Sequence, residues 1–178
     1  MDPFNPSSDY EVPKGNSKYL RFEQGQTEFL PLASAIVGHE YWNTENKPVR
    51  VKDYPHADDL GDARRDEDGN VQIKHFWAFP VWDYASRSVK VLEITQKTLM
   101  TAIRAYAENA KWGNPVMKYS FTVTKTGEKL NTEYTVMANP AQELSQDIVT
   151  AWEEAQAAGF DINRLFAGGD PFTAETKN

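Results

Sequence analysis

The feature that most constrains the fold is a run of aromatic and β-branched residues at the centre of the chain. Residues 73–84 read IKHFWAFPVWDY, and after the polar turn ASRS a second apolar run, VKVLEI, follows over residues 89–94. Such residues favour strands, so two runs separated by a short polar turn predict a β-hairpin. Pro80 has no N–H to donate to a ladder, which predicts a sheet edge or a bulge at that position.

The periodicity of the flanking residues adds further strands and two helices. Residues 29–42 predict a long, bent first strand, residues 49–52 another strand, and residues 117–123 and 132–137 a second hairpin. Apolar spacing of three to four predicts a helix from an N-cap at Thr95 to about Gly113. We therefore expect a mainly β fold: a five-stranded OB-type antiparallel barrel with a helix between the third and fourth strands and a C-terminal helix.

This order of elements divides the chain into four parts. Residues 1–18 contain three prolines without apolar periodicity and predict a flexible N-terminal arm. Residues 19–140 form the expected barrel domain, residues 141–160 the C-terminal helix, and residues 161–178 a flexible tail. The acidic stretch over residues 53–70 is interpreted as a long excursion between strands, whose role the sequence leaves open.

Composition narrows the function classes. The absence of cysteine excludes disulfides, thiolate zinc sites and cysteine nucleophiles. We find no glycine-rich phosphate loop, nucleophile elbow or His-Glu-x-x-His motif, and the calcium-loop pattern that begins at Asp66 lacks its final glutamate. We therefore expect a protein that is not an enzyme and has neither a cofactor nor a metal site. No signal-peptide core or membrane-length apolar run occurs, so we also expect a cytoplasmic protein without a membrane partner.

The charge is unevenly distributed along the chain. The net charge of −7 by itself argues against binding to phosphates, which requires Lys and Arg. Residues 47–138, however, carry 14 basic against 12 acidic groups, and six of those acids lie between residues 58 and 68. The ends of the chain are acidic. This distribution predicts a basic face with acidic appendages.

Aromatic and basic residues alternate in the central hairpin, a pattern typical of proteins that stack bases on rings and hold phosphates with cations. In a strand, Phe76, Trp82 and Tyr84 share one face, and Trp77 and Phe79 share the other. Only one face can fill a barrel, so the second is expected to meet a ligand. The candidate nucleic-acid-binding residues are Trp42, Arg50, Lys52, Lys74, Phe76, Trp77, Phe79, Trp82, Tyr84, Lys90, Lys118 and Tyr119.

Four stretches make the chain resemble the single-stranded DNA-binding proteins of tailed phages. These are FLP at residues 29–31, YW at 41–42 with KPVR at 47–50, FPVWD at 79–83 with VKVLE at 89–93, and GEKLNTEYTV at 127–136. The last has the form Gly-x-x-Leu-x-Thr-x-Tyr-x-Val and follows Trp112-Gly113, as it often does in that family. Many relatives insert a cysteine-rich zinc element where this chain has its acidic excursion, so zinc is not expected.

The resemblance implies an OB-fold core that binds single-stranded DNA and protects it during replication, recombination and repair, in the host cytoplasm if the chain is phage-encoded. The residues alone do not separate DNA from RNA. An OB-type protein-interaction module, acting as a replisome or virion accessory factor, stays open as the alternative, and a small carboxylate-dependent hydrolase as a third.

The C-terminal tail suggests a second kind of partner. Asp170, Pro171 and Phe172 are similar to the acidic tip ending in Pro-Phe by which bacterial single-stranded DNA-binding proteins recruit other proteins. Six residues follow Phe172, so the usual terminal carboxylate is missing. From this similarity we expect replication or recombination proteins to bind the tail, and the acidic segment from Asn139 onward to compete weakly with DNA for a basic groove.

Overall fold

The computed structural model describes residues 18–173, so the expected arm lies outside the described residues except for Lys18, as do residues 174–178 of the tail. Its strands are β1 (Gly25–Pro31), β2 (Ile36–Trp42), β3 (Pro48–Val51), β4 (Lys74–Asp83), β5 (Ser88–Ile94), β6 (Phe121–Thr126) and β7 (Glu133–Ala138). The α-helices are α1 (Lys97–Glu108) and α2 (Gln146–Ala157), and short 3-10 helices cover Ala57–Leu60, Lys129–Asn131 and Ile162–Ala167.

The seven strands form one antiparallel sheet in the order β3-β2-β4-β1-β6-β7, with β5 paired to the other side of β4. The protein is therefore mainly β, and α1 lies between the two hairpins β4–β5 and β6–β7, as expected. The sheet is open, because β5 and β7 do not pair within residues 18–173. The sequence predicted a closed five-stranded barrel, whereas the structure is a mainly β fold with one open sheet of seven strands.

The expected long first strand is present as two strands that pair with the same partner. β1 pairs with the second half of β4, through Pro31 and Val81, and β2 with its first half, through Ile36 and Ala78. Residues 32–35 therefore lie opposite only Phe79 and Pro80, which is the bulge expected at the proline. Because Pro80 has no N–H, an uninterrupted ladder through this position would lack one hydrogen bond.

The main core lies between the sheet and α1. The rings of Phe29, Phe79 and Phe121 pack with centroids 5.8–6.2 Å apart, and Leu99 and Ile103 of α1 close over them. Leu99 and Ile103 lie on one face of the helix because they are four residues apart. The helix begins at Lys97 after Gln96, one residue later than an N-cap at Thr95 would place it.

A C-terminal cover, consisting of residues 146–173, packs on the opposite face of β4 and β5. Ile148 of α2 contacts the cluster around Trp82, and Leu165 of the last 3-10 helix contacts Phe76 and Val91. Each of these side chains is at most 4% exposed. Burying this second apolar face removes the patch for which the sequence predicted a ligand.

The C-terminal residues 161–173 are therefore packed, whereas the sequence predicted a flexible tail over residues 161–178. Their position is fixed by hydrogen bonds from the Asp161 N–H (2.8 Å) and Arg164 Nη1 (3.0 Å) to the carbonyl of Pro171. Phe172 then packs on Phe160 with ring centroids 5.0 Å apart. Within residues 18–173, no helix is both long enough and apolar enough to cross a bilayer.

Candidate nucleic-acid interface

Four of the residues predicted to bind nucleic acid lie on one face of β2, β3 and β4, beside the C-terminal cover. Arg50 is paired with Glu40, and Glu40 with Lys74, so these three side chains form one row across the three strands. Trp42 lies two residues from Glu40 along β2, and Lys52 two residues from Arg50, which places both on the same face. These four residues and Arg64 form the basic face: Trp42, Arg50, Lys52, Arg64 and Lys74.

Trp42 is the exposed ring of the basic face, with 39% of its surface accessible. The acidic excursion returns beside it: the Arg64 N–H donates to the Trp42 carbonyl (2.8 Å), and the Arg64 guanidinium lies 5.9 Å from the Trp42 ring centroid. Arg64 also donates through Nη1 to Asn46 Oδ1 (3.2 Å). Arg64 is not among the residues predicted from the sequence, because Arg64-Arg65 stands inside an acidic stretch that by itself indicates only an excursion between strands.

Arg50 is held by two carboxylates. Its Nε donates to Glu40 Oε2 (3.1 Å) and Glu93 Oε2 (3.0 Å), and its Nη2 donates to Glu93 Oε2 (2.6 Å). Burial, with a hydrogen bond and charge repulsion from Glu40, raises the pKa of Glu93 to about 8 although Arg50 opposes the shift. At neutral pH Glu93 therefore keeps its proton. Because Arg50 is held by these two carboxyl groups, it fixes the geometry of the basic face and adds little to its net positive charge.

Lys52 borders the C-terminal cover. Its Nζ lies 5.5 Å from the ring centroid of Phe166, which packs over Gly38. A Cβ on Gly38 would collide with the carbonyl oxygen of Val51 and press on the ring of Phe166, so only glycine allows this approach. The cover thus ends at the edge of the basic face and leaves Lys52 exposed.

Three cations of the basic face are available to a ligand. None of Lys52, Arg64 and Lys74 forms an ion pair with a carboxylate of residues 18–173, and all three are exposed. An exposed lysine or arginine without a carboxylate partner can neutralise a phosphate without first breaking an ion pair. The face therefore combines one accessible indole with three available positive charges.

The structure places four of the predicted aromatic residues in the interior. Phe76, Phe79, Trp82 and Tyr119 are each at most 5% exposed, and Tyr119 also donates its hydroxyl to the Gly113 carbonyl (2.7 Å). A ring packed on both sides offers no face to a base. These four rings are therefore not part of the basic face. Phe76 and Trp82 are covered by the C-terminal cover, and Phe79 and Tyr119 lie in the main core.

The remaining predicted residues lie elsewhere. Lys90 Nζ forms an ion pair with Asp83 Oδ2 (2.9 Å), both largely buried. Despite burial, hydrogen bonds from Lys90 and Ser86 and the charge of Lys90 hold the pKa of Asp83 below its usual range. Tyr84 and Lys118 line a small pocket of about 180 Å³ at the opposite end of β4 from Lys74, where Lys118 Nζ donates to the Trp112 carbonyl (2.7 Å).

Trp77 lies behind the basic face, in a groove between the sheet and α1. The groove has a volume of about 600 Å³ and is lined mainly by apolar groups. Strand alternation directs Trp77 and His75 to this side and Lys74 and Phe76 to the basic face. Of the twelve predicted residues, eleven are thus divided among the basic face, this groove, the interior and the far pocket, and Lys90 is held in its ion pair with Asp83.

The tail residues predicted to bind partner proteins, Asp170, Pro171 and Phe172, are part of the C-terminal cover. Pro171 is buried, Phe172 is partly buried, and Asp170 Oδ2 lies 3.7 Å from Lys18 Nζ. Hydrogen bonds from the Phe172 N–H and the Thr173 hydroxyl, and the charge of Lys18, lower the pKa of Asp170 although its partial burial opposes this. In this arrangement the Phe172 ring is engaged by Phe160 and Lys18.

Within the described part of the chain, no group of three or more His, Asp or Glu side chains is arranged to hold a metal ion. No protein-family model, no curated protein and no solved structure matches the chain.

Proposed function

We propose that this protein binds single-stranded DNA through the basic face, with little dependence on sequence, and protects single strands in phage-type replication, recombination and repair. It acts without catalysis and without a cofactor. The observation that carries this proposal is the alignment of Lys74, Glu40 and Arg50 in a row across three strands, with Trp42 on one side of the row and Lys52 on the other. One base stacks on Trp42, and its neighbouring phosphates contact Lys52, Arg64 and Lys74.

The strand order supports an OB-type core that closes incompletely. Taking β1 and β2 as one bent strand, the order β5-β4-β1-β6-β7 with α1 between β5 and β6 corresponds to the OB order 3-2-1-4-5. OB folds bind oligonucleotides on the face of strands two and three and on the loop between strands one and two. Here the C-terminal cover occupies most of that face, and the basic face is its exposed continuation beside the corresponding loop.

The test is a titration of unlabelled oligodeoxythymidine against intrinsic tryptophan fluorescence at several salt concentrations. Each cation that contacts a phosphate contributes about 0.7 to the slope of log affinity against log salt, so three contacts predict a slope of roughly 2. Lys74→Gln should lower that slope by about 0.7 and weaken binding equally for different base sequences.

Lys111→Gln is the matched control, because Lys111 is exposed in the turn after α1 and lies outside the basic face. It should leave both the affinity and the slope unchanged. Absence of quenching by any single strand at low salt, or an identical loss of slope in the two variants, would contradict the proposal. A protein that instead binds only other proteins would show no oligonucleotide titration at all.

A further inference from the structure

The groove behind the basic face brings two rings, those of His75 and Trp77, close to the cation Arg104. Val37, His75 and Trp77 line its sheet side, and Met100, Ile103 and Arg104 line its α1 side. Val37 is 49% exposed, an unusual exposure for an apolar side chain in the middle of a strand. A volume of about 600 Å³ is in the range of pockets that hold organic ligands.

A series of rings connects this groove to the basic face. Lys52 lies on the basic face, and two residues later Tyr54 has turned to the other side of the sheet, where it contacts His39 with ring centroids 5.2 Å apart. His39 is paired with His75 across the strands at 5.4 Å, and His75 is followed on the same side of β4 by Trp77. Tyr54 is 62% exposed, so the series begins at an accessible ring.

We propose that this series, Tyr54, His39, His75 and Trp77, is a second contact for single-stranded nucleic acid, on which bases stack after the strand passes around the edge of β3. This proposal rests on the function proposed above and adds a second contact for the same nucleic-acid strand. β3 is the edge strand of the sheet on this side.

The groove also supplies a charge for the backbone. Arg104 is exposed on α1 at the groove, where its Nε donates to Glu108 Oε1 (2.7 Å), one turn further along the helix. Such an exposed ion pair is weak and can be exchanged for a phosphate contact. Flat rings with a cation at the rim favour nucleobases, whereas a purely apolar groove would favour the apolar face of a protein helix.

The experiment compares short and long oligodeoxythymidines, of about 4 and about 14 nucleotides, the range covered by a single OB fold. The short strand should be held by the basic face alone. Arg104→Gln and Tyr54→Ala should each weaken the long strand about tenfold and leave the short strand unchanged. Tyr54→Phe keeps the ring and should restore long-strand affinity.

Glu108→Gln is the matched control for Arg104→Gln. Both substitutions break the same exposed ion pair, but only Arg104→Gln removes the cation. Glu108→Gln should leave long-strand binding equal to or tighter than that of the unsubstituted protein. Equal losses in the two variants would show that the helix, and not a phosphate contact, was responsible.

The outcomes separate this inference from the function on which it rests. If Lys74→Gln weakens both strands while Tyr54→Ala and Arg104→Gln weaken neither, the basic face binds DNA and the groove does not, which overturns the inference alone. If the unsubstituted protein binds no strand of either length, both proposals are wrong. Melting temperatures of the variants within about 2 °C of the unsubstituted protein establish that the losses are not due to unfolding.

Discussion

The two ends of β4 have similar sequences and different surroundings. At its beginning, Lys74 and His75 are exposed, and Trp77 is only partly buried. From Ala78 to Asp83 every residue is buried, because α1 and the core cover one face and the C-terminal cover occupies the other. The comparison shows that aromatic density does not locate a ligand surface. What locates it is the point at which the neighbouring elements stop covering the strand.

The largest effect is expected at the covered end. Trp82→Ala removes an indole that is 4% exposed and packs with Leu30, Leu32 and Ile148, and should lower the free energy of unfolding by about 3–5 kcal/mol. Denaturant unfolding measures this loss. The folded fraction should bind oligonucleotides with unchanged affinity, and a specific loss of binding would show that Trp82 becomes exposed to DNA.

A smaller effect, on binding and not on stability, is expected in the exposed region beside the beginning of β4. Trp42→Ala should weaken single-strand binding by about 1–3 kcal/mol, the contribution of one stacked base. It should change the free energy of unfolding little, because the ring is 39% exposed and contacts Arg64 above it. Titrations monitored by anisotropy of a labelled strand check this without relying on Trp42 fluorescence. Equal affinities of the two proteins would remove Trp42 from the interface.

The smallest effect concerns Glu93, beneath the basic face. Its pKa is raised from an ordinary 4.5 to about 8, so between these pH values the folded state binds a proton that the unfolded state lacks. Stability from this group is therefore complete below about pH 4.5 and is lost as the pH rises to 8. Between pH 5 and 8.5 the melting temperature should fall further in the unsubstituted protein than in Glu93→Gln. Identical pH profiles would mean that Arg50 keeps Glu93 ionised throughout.

Local patterns predicted the secondary structure well. The hairpin β4–β5, the helix α1 and the second hairpin follow from alternation, from three-to-four spacing and from turn residues, which act over a few neighbours. The second hairpin is displaced: residues 117–118 lie in a turn and Tyr119 faces the core, while β6 begins at Phe121. An alternating run such as KYSFTV, residues 118–123, satisfies a strand pattern whether the strand begins early or late, and only the pairing with β1 selects its start.

The candidate site was predicted in part. Trp42, Arg50, Lys52 and Lys74 were recognised as aromatic or basic residues on strands, and their convergence follows from the strand register. Arg64 was missed because nothing local indicates that an acidic excursion returns to Trp42. The packing of residues 161–173 was also missed, since Phe160, Phe166 and Phe172 are spaced without regular periodicity.

The sequence by itself determined that this chain is mainly β, where its hairpins and α1 lie, and that basic and aromatic residues are concentrated in its middle. These properties depend on neighbours within a few positions of the chain. Only the tertiary structure decided which face of β4 is open, because that depends on residues 146–173 packing more than sixty positions away from it. Burial is a property of the surface that covers a residue, and a strand carries no local signal of which distant segment will cover it.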